Sequence, residues 1–128
     1  MDELRQVLLR LPEAVEEEPF GPRVLVFKVA GKMFAIAPED PEDGHLRVTL
    51  KCDPALALHL RAQYQAVQPG YHTNKRHWNT VVLDGSVPDE EVVEMIDHSY
   101  ECVLEGLRRR DRERLLAAWR GGEAGPDR

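Results

Sequence analysis

The stretch RVLVFKVAGKMFAIAP, residues 23–38, decides the fold. Two runs rich in Val, Phe and Ile flank Gly31, and glycine supplies the positive φ that a tight turn between strands demands. The segment therefore predicts an antiparallel hairpin turning at Gly31-Lys32. Beyond the polar cluster PEDPEDG (38–44), HLRVTLK (45–51) alternates Leu46, Val48 and Leu50 with His45, Arg47, Thr49 and Lys51. This alternation predicts a third strand with one buried face and one basic, wet face, on which Lys28 would also lie.

Working outward to the N-terminus, Leu4, Val7, Leu8 and Leu11 keep the i, i+3, i+4, i+7 spacing of one helical face until Pro12 ends it. EAVEEEPFGP (13–22) then reads as an acidic loop. In the other direction, Asp53-Pro54 combines an N-cap with a first-turn proline and starts a second helix. AVQPG (66–70) reads as a short strand or turn, and HWNTVVLDG (77–85) as a further strand. A long helix follows, with Ser86 and Asp89 at capping-box-like spacing and Val92, Ile96, Tyr100, Val103 and Leu107 on one stripe. RRRDRERLLAAW (108–119) continues that helix or re-forms as another.

The order α-β-β-β-α-β-β-α, with a hairpin and no regular βαβ alternation, implies an α+β two-layer sandwich: an antiparallel sheet with helices on one face. The 128 residues suit one domain, expected over 1–120, with 121–128 as a flexible C-terminal tail.

Composition narrows the function. Hydrophobic residues make up 42% and charged residues 31%, as in ordinary globular proteins. No apolar run approaches the ~20 residues of a membrane helix, and the acidic N-terminus is unlike a secretory signal, so no membrane partner and a cytoplasmic location are expected. Cys52 and Cys102 are too few for a disulfide framework and are expected to be free thiols. The net charge of −6 argues against a protein that coats nucleic acid indiscriminately. The charge is uneven, however: −4 over residues 1–22, +3 over 23–83 and −5 over 84–128, with four of the five histidines in the basic middle.

That middle contains PGYHTNKRHWNTVVLDG (69–85), where imidazoles, cations, amides and an indole crowd together. Nucleic-acid binding needs cations for phosphate, amides for phosphate or base edges, and aromatics for stacking. Lys75, Arg76, Asn74, His72, His77, Asn79 and Tyr71 supply these types, and Lys28, Lys32, Arg47 and Lys51 extend them over the hairpins. Another reading is a structural corner, in which Asn and His side chains satisfy loop backbone and Trp78 anchors a strand, facing either the core or a contact. A Cys-His nucleophile from His98 and Cys102, at i, i+4, lacks an obvious cleft. The spacing of His45, His59, His72 and His77 is weak for metal, and no Walker loop or G-x-G-x-x-G is present, so neither metal nor cofactor is expected.

PFGPRVLVFKVAGKMFA, LKCDP and PGYHTNKRHWNTVVLDGSVPDEEVVEMIDHSY, in that order, resemble the MmcQ/YjbR family of small bacterial proteins from about Leu4 to Leu107. The resemblance implies a CyaY-like fold, also likened to a double wing, and a DNA-binding label that rests largely on shape. It places the family's recurrent positions on Lys51, Asn74, Lys75, His77, Trp78 and Asn79 and carries no catalytic role to any of them. Thr73 departs from the hydrophobic residue often found there. The expectation is a non-enzymatic domain contacting DNA, double-stranded in the first instance, through residues 71–79. The alternative is a protein or peptide interaction module using the open sheet face or the acidic helix 88–107, and the oligomeric state is left open.

Overall fold

A computed structural model describes residues 1–124, with side chains through 121. The elements are α1 (Asp2–Leu9), β1 (Val15–Glu17), β2 (Val24–Val29), β3 (Lys32–Pro38), β4 (Leu46–Lys51), α2 (Pro54–Gln63), β5 (Val67–Pro69), β6 (Trp78–Leu83), α3 (Asp89–Glu105) and α4 (Arg109–Ala124). The strands form one antiparallel sheet in the order β1-β2-β3-β4-β6-β5. The α+β sandwich inferred from the element order is therefore the architecture observed.

Several local expectations are corrected. The acidic loop 13–22 contains the edge strand β1, whose three residues show no alternation a sequence could display. Ion pairs hold it in place: Arg5 grips Glu16 from α1 at 2.8 Å, and Lys28 meets Glu17 at 3.0 Å. The hairpin turns at Ala30-Gly31 rather than Gly31-Lys32, since Val29 pairs with Lys32 and both turn residues have positive φ. No capping box forms at Ser86, because Asp84 Oδ1 accepts from both the backbone N–H and the hydroxyl of Ser86, and Pro88 is the N-cap of α3. The last helix re-forms as α4 after a break at Gly106 and runs into the segment expected as a tail, of which residues 125–128 lie outside the described residues.

The sheet register sorts its two faces. Glu16, Phe27, Ala35, Leu50, Asn79 and Pro69 form one row across all six strands. This row faces the helices: Phe27, Ala35 and Leu50 share a buried cluster with Leu8 of α1, Ile96 and Tyr100 of α3 and Leu115 of α4. The neighbouring row, Glu17, Val26, Ile36, Thr49, Thr80 and Gln68, points the other way, where no helix packs among the described residues. That face is not uniformly wet, as the alternation had predicted. Val26 is fully buried and Thr49 is 5% exposed, because each sits inside the sheet with a paired strand on either side.

Ser99 and Tyr100 pin α3 to this frame through three hydrogen bonds. Ser99 Oγ accepts from the Lys51 N–H at 2.9 Å and donates to the Phe34 carbonyl at 2.6 Å, bridging β3 and β4 where their pairing ends. Tyr100 donates its hydroxyl to the Pro12 carbonyl at 2.7 Å, and burial pushes its pKa up to about 12. Its ring lies between Phe34 and Trp119, both edge-on, so that α4 is stacked onto the core through one aromatic chain.

Candidate functional site

The polar crowd of residues 70–79 is the corner joining β5 to β6. Its entry requires glycine: a Cβ on Gly70 would fall 2.2 Å from Thr73 Oγ1 and 2.7 Å from Trp78 Cβ. Gly70 donates its N–H to the Trp78 carbonyl at 2.9 Å, which closes the neck of the loop. Within it, Lys75 Nζ donates to the Gly70 carbonyl at 2.7 Å, and Asn74 Oδ1 accepts the Arg76 N–H at 2.9 Å in an Asx turn. The His77 carbonyl accepts the Cys52 N–H at 2.8 Å, tying the corner to the end of β4.

The corner is clamped from both faces of the sheet. On the helix side, Arg61 at the end of α2 donates through Nε to Asn79 Oδ1 at 2.7 Å. Its Nη2 reaches the carbonyls of Lys75 and of Trp78, the latter at 3.2 Å. Asn79, 3% exposed, completes the link by donating to the Ala57 carbonyl. On the open side, Thr80 Oγ1 accepts the Tyr71 N–H at 3.0 Å and pairs with Thr49 Oγ1 at 2.7 Å. Nothing in the sequence singled out Arg61. A basic residue in the last turn of a helix is ordinary helix-dipole chemistry, and its loop partners are 14 to 18 residues away along the chain.

This wiring divides the expected contact residues. Asn74 and Asn79 are spent on the corner itself, and Lys75, though exposed, folds back onto Gly70. Lys28 is paired with Glu17, while Arg47 donates to the Glu42 and His45 carbonyls and has Glu42 and Asp43 carboxylates within 4.0 Å. Lys51 is half-buried opposite Trp78 across the β4–β6 ladder. Arg76 and Lys32 are exposed and have no side-chain partner among the described residues. Tyr71, 70% exposed, packs against His72 with ring centroids 4.0 Å apart. Trp78 shares the open face with Thr80, half-buried and outside the core cluster; His77 is half-buried at the corner's exit.

The Cys-His pair forms with poor nucleophile chemistry. Cys102 Sγ lies 3.4 Å from His98 Nε2, but that nitrogen already accepts the Asp53 N–H at 3.1 Å, which puts the imidazole proton on Nδ1. Burial pushes the Cys102 thiol up to about 11, with Glu105 adding to it, and burial together with the neighbouring Cys102 does the same to Cys52. A nucleophilic thiol needs the opposite shift. Among the described residues no three His, Cys, Asp or Glu side chains gather as a metal would require, and no helix is long and apolar enough to cross a membrane.

The comparisons with known proteins agree with the fold. The family model described as YjbR matches residues 9–102. The uncharacterized protein YjbR of Escherichia coli strain K12 is 34% identical over 116 residues, covering 91% of this chain and 97% of that one. The uncharacterized protein YyaQ of Bacillus subtilis is 36% identical over 61 residues, 45% of this chain and 51% of that one. Among solved structures, Deinococcus radiodurans protein DR2400, of family-model domain DUF419, superposes with a TM-score of 0.81 at 41% identity, covering 89% of this chain and 86% of that one.

Proposed function

The chain belongs to the YjbR family, and from that premise we propose that it is a non-enzymatic nucleic-acid-binding domain whose contact surface is the 70–78 corner and the adjoining open sheet face. One observation carries the reading. The corner is clamped from both sides of the sheet, and what the clamps leave outward is Arg76, with no carboxylate partner among the described residues, beside Tyr71, His72 and Trp78. A cation for phosphate next to aromatic faces for bases, at the edge of an open sheet face, is the chemistry of a stacking platform. It suits unstacked single-stranded DNA better than the groove of a duplex. Lys75 and Lys32 add charge, whereas Asn74, Asn79, Lys28 and Arg47 act on the fold rather than on the ligand.

The test is titration of isotope-labelled protein with a single-stranded oligonucleotide and with its duplex, at low and near-physiological salt. Shifts concentrated on amides 71–78 and the Trp78 indole, stronger for the single strand, are expected. Arg76→Ala should weaken binding and make the salt slope shallower by about one unit. Unmoved spectra at low salt would end the proposal.

A second reading, a protein contact, is favoured by a different observation: Val24, Met33, Ile36 and Trp78 are half-buried hydrophobics on the open face, outside the core cluster. A contact of that kind would persist with salt, whereas the nucleic-acid complex would dissolve.

A further inference from the structure

On the helix side of the sheet, away from the corner's outward surface, α2 and α3 leave a groove of about 260 Å³ between them. Its walls are built by helical periodicity. Leu56 and Leu60 of α2 stand one turn apart on one side, and Met95 and His98 of α3 face them. The floor is Leu50 and the buried Asn79. Leu56 and Leu60 are only half-buried, although they lie on the inner side of their helix, because nothing fills the space over them.

The groove is electrically polar. Glu91 and Glu94 line one end, and neither carboxylate has a cation partner among the described residues. Lys51 of β4 and His98 mark the other end, His98 lying about 10 Å beyond Glu91 and about 6 Å beyond Glu94 at the rise of a helix. The helix dipole explains a glutamate at position 91, in the first turn, but its effect fades within that turn and leaves Glu94 unexplained. The volume is below the roughly 300–1,000 Å³ usual for small-molecule and cofactor sites, and is suited to one large side chain inserted from outside.

We propose that the α2–α3 groove docks a basic, apolar-anchored segment of a partner protein. One large apolar side chain of that segment enters between Leu56, Leu60 and Met95, and a Lys or Arg one helical turn away pairs with Glu91 and Glu94. This is the helix-in-groove mode of recognition, with the charge asymmetry fixing the direction of the segment. It is independent of the nucleic-acid reading, since none of the groove's walls belongs to the 70–78 corner.

The experiment follows the amides of the full-length labelled chain while adding a short synthetic peptide with leucine and lysine at helical spacing, alongside a twin with glutamate in place of lysine. Shifts at Leu56, Leu60, Glu91 and Met95 with the lysine peptide, and their absence with the twin, are expected. Glu94→Lys should weaken the lysine peptide about tenfold, as loss of a single good contact does, while Glu18→Lys, the same charge change on the β1–β2 connection, should leave it nearly unchanged. Leu56→Glu should abolish the shifts while the spectrum elsewhere is retained; Glu91→Gln, a surface change that cannot unfold the core, gives the same reading if Leu56→Glu proves unstable. The proposal is overturned if the two glutamate-to-lysine variants weaken binding equally, if the twin binds as well, if the shifts fall on residues 71–78 instead, or if nothing shifts.

Discussion

The row Phe27, Ala35, Leu50, Asn79 and the row Val26, Ile36, Thr49, Thr80 run side by side across the same four strands, yet helices cover only the first. The first is buried by tertiary packing. The second is shielded by its own neighbours, so Ile36 stays half-exposed while Val26 beside it is fully buried. Both rows end on β6 in a polar residue, and those two residues, Asn79 and Thr80, hold the corner from opposite sides. A one-sided sheet thus leaves a free face and fixes a loop at its edge with the same strand.

Truncation is the strongest way to break this comparison. Phe27→Ala should cost about 3–5 kcal/mol, the transfer and cavity terms of a fully buried aromatic ring. Ile36→Ala, across the ladder but half-exposed, should cost only about 1 kcal/mol. Urea unfolding of the two variants measures both. Equal losses would mean that the open face is covered in solution, by a second copy or another partner.

The helix side also contains both thiols, and their chemistry gauges its dryness. With Cys52 and Cys102 near 11, labelling by a thiol reagent at neutral pH should run about a hundredfold slower than for a free cysteine, rising as pH approaches 11. The linkage has a definite sign. A thiol whose pKa is raised by folding contributes stability below its unfolded value near 9, and that contribution is lost as pH climbs through 11. Fast labelling of either thiol at pH 7 would show that the groove beside it is wetter than its lining suggests.

Arg61 tests the clamp. Arg61→Met keeps most of the side-chain length but leaves Asn79 Oδ1 and the Lys75 carbonyl without their donor, and the Trp78 carbonyl with Gly70 alone, for about 1–3 kcal/mol. The stronger expectation concerns where the effect appears. Amides 71–78 should broaden while those of β2 and β3 stay in place, and oligonucleotide binding should weaken although Arg61 is not a contact residue. Gly70→Ala, with its Cβ forced against Thr73 and Trp78, should disturb the same amides at a similar cost, about 1–3 kcal/mol from overpacking.

How far the sequence revealed these features depends on the range of the interactions. The strands 24–38 and 46–51 announce themselves because alternation is local, and Asp53-Pro54 fixes the start of α2 because a cap and a proline act within one turn. Val15–Glu17 is silent because its stability lies in ion pairs to α1 and β2 that no local pattern encodes. The corner was legible as a cluster but not as a division of labour. Asn79 reads like Asn74 in a string of letters, yet one reaches α2 and the other closes a turn two residues on. Arg61 escaped entirely, and so did the groove, since Leu56 and Glu91 meet only after the sheet has brought their helices together.

The mildest substitution refines the hairpin that organises both rows. Ala30 and Gly31 both have positive φ, +49° and +78°, as a two-residue turn of type I′ requires. Gly31 adopts that conformation freely, whereas the Cβ of Ala30 crowds the following carbonyl at a cost of about 1 kcal/mol. Ala30 is exposed, so its methyl contributes no packing to offset this. Ala30→Gly relieves the crowding but gives the unfolded chain more freedom, which takes back a few tenths of a kcal/mol, about 0.4 or more. Ala30→Asn avoids that loss because asparagine tolerates the left-handed region while keeping a side chain. Asparagine should therefore raise the unfolding midpoint more than glycine, with both at or above the parent. If both lower it, the register Val29 to Lys32 is wrong, and the bulge at Phe27 and Lys28 that turns Phe34 toward Tyr100 would have to be placed differently.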